Sequence, residues 1–91
     1  MKKASIDLAT KIVQQHGHIQ KDETGEFWSS NMDGLIGMSL GYPTSLYDIK
    51  KDKTTKVTKA EAEEQIINQL AGEIDSGVLS LSDTWAEDNL K

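Results

Sequence analysis

The chain has 91 residues, 36% of them hydrophobic and 27% charged, with a formal net charge of −5, no cysteine and no arginine. That composition suits one small folded domain (residues 1–91) rather than a disordered segment. It excludes disulfides, thiolate catalysis and cysteine-based zinc sites, and its negative charge disfavours non-specific binding to nucleic acid or anionic membrane.

In chain order, residues 5–16 read as a helix. Ser5 can cap it, Asp7 suits its first turn, and Ile6, Ala9, Ile12 and Val13 share a face. Gly17 is a natural stop. A short strand is expected over 18–21. Asp22-Glu23-Thr24-Gly25 is a turn signal, and 26–30 is a second strand carrying Phe27 and Trp28. Asn31-Met32-Asp33-Gly34 is a second turn signal. Beyond it, Ile36, Met38 and Leu40 alternate with Leu35, Gly37 and Ser39, which predicts a third strand. Gly37 would mark a bulge or a close backbone approach.

Residues 41–57 read as a connection. Pro43 breaks the strand, Leu46, Tyr47 and Ile49 are expected to pin the loop to the core, and the lysine run is a solvated loop. Thr58 and Glu61 predict a capping box opening a helix over 58–75, with Ile66, Ile67, Leu70, Ala71 and Ile74 as its apolar stripe and Gly77 just past its end. Ser82 can cap a last short helix in which Trp85, Ala86 and Leu90 pack. The expected fold is therefore α+β: an N-terminal helix, a three-stranded antiparallel meander, a long amphipathic helix and a short C-terminal helix.

Charge is segregated along this order. Lys50, Lys51, Lys53, Lys56 and Lys59 against Asp48 and Asp52 give segment 48–59 a charge of +3. Segment 60–91 carries −7, with Lys91 its one cation. No stretch approaches the ~20 apolar residues of a membrane span. Met1-Lys2-Lys3 is followed by Asp7, Lys11 and Gln14 rather than by the apolar run of a signal peptide. A soluble cytoplasmic protein is the expectation. Lysine without arginine points to an AT-rich coding genome.

Catalytic constellations are not found. His16 and His18 form an H-x-H pair, but a zinc site needs three or four ligands, and His16 falls at a helix end. Asp48 to Glu61 superficially follows a calcium loop. Counting back from Glu61, however, puts Lys50 at the first ligand position and Thr55 where the tight-turn glycine belongs. Glu63 and Glu64 are helix neighbours that point to different sides. No cofactor, metal or catalytic residue is expected.

Two resemblances can be read from the motifs. Gly34 to Leu70, with its Thr58-Lys59-Ala60-Glu61-Ala62-Glu63 helix start, resembles part of the phage-type lysozymes. Those enzymes carry a catalytic Glu near the end of the first helix, where this chain has Gln14, Gln15 and His16. The chain is also short for that fold, so the resemblance implies a degenerate phage or bacterial relative rather than an active hydrolase. The order helix, three strands, helix resembles double-stranded-RNA-binding domains, which place lysines at the start of the last helix as Lys56 and Lys59 stand here.

The functional expectation is a non-enzymatic protein-binding module, a small regulator or inhibitor whose acidic helix face (Glu61, Glu63, Glu64) meets a protein partner, with Tyr42 and Tyr47 at the interface. The alternatives are a nucleic-acid-binding αβββα domain using Lys50, Lys51, Lys53, Lys56 and Lys59, and the degenerate lysozyme-like protein.

Overall fold

Helix α1 (Lys3–His16) forms where apolar residues recur at helical spacing, and it buries Ala9, Ile12 and Val13. It starts two residues before Ser5, with Lys2 as an N-cap that makes no side-chain bond and with no acid in the first turn. Ser5 is thus not a cap. It is buried, and its hydroxyl donates to Asp75 at 3.1 Å, on the same carboxylate oxygen that accepts the Lys2 N–H at 3.0 Å. Gly17 ends the helix at φ −96°, a conformation open to any residue. What glycine supplies there is room: a Cβ would lie 2.4 Å from Ser29 Oγ and 3.1 Å from the Val13 carbonyl oxygen. The structure, a computed structural model, describes residues 2–90.

Strands β1 (Ile19–Lys21), β2 (Glu26–Ser29) and β3 (Gly41–Pro43) form an antiparallel sheet in the order β1-β2-β3. Ile19 faces Ser29 across the first pair, and Phe27 faces Tyr42 across the second. Asp22 organises the β1–β2 turn. Its carboxylate accepts the N–H groups of Thr24 (3.0 Å) and Glu26 (2.9 Å), the Thr24 hydroxyl (2.9 Å) and the Trp28 indole N–H. These donors, the Glu26 amide foremost, hold the Asp22 carboxyl below the usual carboxylate range.

The expected third strand is displaced. Met32–Ile36 is a short helix, α2, entered through Asn31 at φ 68° and closed by Gly37 at φ 77°, whose N–H donates to the Asp33 carbonyl. The alternation Ile36, Met38, Leu40 competes there with Met32, Leu35 and Ile36 at i, i+3, i+4, and the helical spacing wins over the first half. Gly37 is a left-handed C-cap rather than a strand bulge. Pairing begins only at the Leu40 carbonyl, which accepts the Ser29 N–H at 3.0 Å.

The lysine-rich stretch is also not a loop. It folds as a hairpin of β4 (Ser45–Asp48) and β5 (Lys53–Lys56). Thr44 is the residue at which the chain's pairing partner changes. Its N–H donates to the Gly25 carbonyl at 2.9 Å, while its own carbonyl accepts the Val57 N–H at 2.8 Å.

Helix α3 (Lys59–Asp75) starts where expected. The Glu61 N–H donates to the Thr58 hydroxyl oxygen at 3.2 Å, and that hydroxyl donates onward to the Glu61 carboxylate at 3.1 Å. Its buried stripe of Ala62, Ile66, Leu70 and Ala71 packs on α1. Gln69 donates to the Gly41 carbonyl at 2.9 Å, tying α3 to β3. Asp75, at the far end, holds the start of α1, so the two helices run antiparallel. Ile12, Met32, Ile66 and Leu70 are the largest fully buried side chains and belong to one core cluster.

A last helix, α4 (Asp83–Asn89), is capped by Ser82, whose hydroxyl oxygen accepts the Trp85 N–H at 3.0 Å. Trp85 and Leu90 pack half-buried against the core. His16 Nε2 stands 2.6 Å from the Asn89 carbonyl oxygen. A carbonyl only accepts, so that nitrogen carries a proton. Among the described residues, no helix is long and apolar enough to cross a membrane.

Candidate functional site

The β4–β5 hairpin is an arm that stands apart from the core. Every residue of both strands is exposed. The radius of gyration is 14.2 Å, against about 12 Å for a compact chain of this length. The longest extent is 48 Å and the shortest 19 Å. Two isolated strands are marginal in water, so local bonds have to hold the arm's shape. The Asp48 carboxylate accepts the N–H groups of Lys50 (2.9 Å) and Lys51 (3.3 Å), which closes the turn. Asp52 adopts φ 47°, a conformation that Asp tolerates better than most residues. The Tyr47 hydroxyl donates to Asp52, which raises the Tyr47 pKa above the ordinary phenol value.

Directly opposed residues of an antiparallel pair share a face. Leu46 with Thr55 and Asp48 with Lys53 lie on one face; Tyr47 with Thr54 and Ser45 with Lys56 lie on the other. Apolar groups therefore project from both faces. Leu46 is 46% exposed, Tyr47 58% and Ile49, in the turn, 83%. These three were expected to anchor a loop in the core, and none does. Together with Asp48, Lys50 and Thr55 they line a shallow groove of about 580 Å³. The two strand edges differ. β5 starts and ends with Lys53 and Lys56, a pattern that discourages strand addition, whereas β4 carries no lysine.

The other candidate residues fall elsewhere. Lys50, Lys51, Lys53 and Lys56 lie on the arm, and Lys59 is the first residue of α3. Glu61, Glu63 and Glu64 occupy the first turns of α3. Glu61 is engaged in the cap, Glu63 is half-buried and Glu64 is exposed. Tyr42 is half-buried in β3, packed against the core. The acidic residues and the two tyrosines are thus spread over three elements. Leu46 and Ile49 emerge as surface groups that the sequence reading had assigned to packing. Thr54-Thr55 beside a Lys-Lys-Asp turn was the available hairpin signal.

No group of three or more His, Asp or Glu gathers into a metal-binding cluster among the described residues. His16 is turned to Asn89, and His18 is exposed on the other side of Gly17. No family model matches the chain, and no curated protein or solved structure is significantly similar to it.

Proposed function

We propose that this chain is a protein-binding module that works by contact, and that its contact element is the β4–β5 arm rather than the acidic face of α3. One observation carries the reading: among the described residues, the arm gathers three of the six exposed large apolar side chains into one short element, whereas Ile6, Trp28 and Val78 are scattered singly. A patch of this kind, rimmed by charge, is the usual surface of an interaction site. Lys50, Lys51, Lys53 and Lys56 outnumber Asp48 and Asp52 on the arm, which favours an acidic partner surface and electrostatically steered encounter. Two of the acids of α3 have local work that explains them without a partner: Glu61 in the cap and Asp75 in holding α1.

The test is site-specific photo-cross-linking in host lysate. A photoreactive phenylalanine analogue at Tyr47 should give one discrete adduct. Leu46→Ser/Ile49→Ser in the labelled chain should abolish it. The same label at Glu64 should give none. Equal labelling from both positions, or an adduct unchanged by Leu46→Ser/Ile49→Ser, would remove the arm as the contact element. Retarded duplex DNA or RNA in a low-salt gel shift would instead support the nucleic-acid reading.

A further inference from the structure

We infer that the arm's partner is a second copy of this chain, with the arm of one copy seated in the groove between α1 and α4 of the next. This rests on the protein-binding reading and names its partner. Both halves of the contact are present on the molecule. The groove has a volume of about 500 Å³ and an apolar floor of Ala4, Leu8, Ala86 and Leu90. Asp7, Glu87 and Lys11 flank it. Glu87 is the one acid of α4 that lines the groove, and Asp83 and Asp88 lie on the same helix, which contains no cation. The arm offers the complement: Ile49 in the turn and Leu46 on one face for the floor, and Lys50, Lys51 and Lys53 for Asp7 and Glu87. Lys11 opposes one of these lysines, while Asp7 and Glu87 attract the others.

Within one copy the arm does not occupy the groove: every residue of β4 and β5 is exposed. Because the two surfaces differ, copies add head to tail, and the assembly stays open unless its rotation closes a ring.

Sedimentation velocity of the full chain tests this. The weight-average mass should rise with concentration at about 0.05 M salt, and the association constant should fall at least about tenfold by about 0.5 M salt. A Lys50→Glu/Lys51→Glu/Lys53→Glu variant should be monomeric, as should Asp83→Lys/Glu87→Lys/Asp88→Lys. An equimolar mixture of the two should associate again, because each supplies the charge the other has lost. Ile49→Ser, which leaves the core untouched, should weaken association about tenfold. Far-UV circular dichroism establishes that each variant is folded. A wild-type chain that stays monomeric at about 1 mM and low salt, or an arm variant that associates as well as wild type, overturns the inference. If the wild type is monomeric while Tyr47 still cross-links a different protein, self-assembly falls and the binding reading stands. If Tyr47 cross-links nothing as well, both fall.

Discussion

Replacing Ile49 by serine should leave stability almost unchanged, although Ile49 is one of the chain's larger apolar residues. Full burial of an isoleucine side chain is worth about 1.5–3 kcal/mol. Ile49 is 83% exposed, so about one-sixth of that, roughly 0.3–0.5 kcal/mol, is at stake. Ile66 is the internal reference. It is fully buried between α3 and the core, and Ile66→Ala should cost about 2–5 kcal/mol from lost transfer energy and the cavity left behind. Equilibrium unfolding in urea, followed by circular dichroism, separates the two. With a slope near 1 kcal/mol/M, typical of a small protein, Ile49→Ser should move the midpoint by no more than about 0.5 M. Ile66→Ala should move it by about 2 M or more, or abolish folding. A loss above about 1.5 kcal/mol for Ile49→Ser would mean that this side chain packs in the core, and the arm would no longer be a free surface.

Three further outcomes follow from the packing and the caps. Gly17→Ala should cost about 1–3 kcal/mol from overpacking, because its Cβ would meet Ser29 Oγ at 2.4 Å; in a Ser29→Ala background, which removes that oxygen, most of the cost should vanish, and a double-mutant cycle in urea reads the coupling. Thr58→Ala should cost about 1 kcal/mol by freeing the Glu61 N–H, measurable as a midpoint shift. The Asp75 carboxyl is lowered below its ordinary 3.8, first by the Lys2 N–H, then by the Ser5 hydroxyl and nearby positive charge, against the opposing effect of desolvation. Its folded pKa thus lies below its unfolded one, so its contribution is complete above the unfolded value and is lost as pH falls through the folded one. Asp75→Asn should therefore flatten the acid limb of the stability–pH curve below about pH 4, and an unchanged limb would contradict the assignment.

Helices α1, α3 and α4 were legible because their apolar spacings and turn residues were local signals. Thr58 with Glu61 marked the start of α3, Ile66, Leu70 and Ala71 marked its buried face, and Ser82 marked α4. The first two strands were legible from the Asp22–Gly25 turn. The segment 31–40 was misread because Ile36, Met38 and Leu40 satisfy a period of two, whereas Met32, Leu35 and Ile36 satisfy a helical one. The left-handed conformations of Asn31 and Gly37 decide between them, and only the folded backbone shows those. The arm was misread for a different reason. Leu46, Tyr47 and Ile49 look like core residues to any rule that sends apolar groups inward, and that rule runs one way only. Charge segregation was visible along the chain, and the capping box already gave Glu61 a role; Asp75 reveals its role only through its hydrogen bonds.

Amide hydrogen exchange across residues 45–56, compared between the monomeric and the bound protein, tests the central claim most directly. In the monomer these amides should exchange far faster than those of Ile66 and Leu70, since two strands without a covering layer open easily. On binding, protection should rise along Ser45–Lys56 while the first turns of α3, including Glu63 and Glu64, stay as they were. Protection that appears on α3 and leaves the arm unchanged would contradict the account and return the interface to the acidic helix.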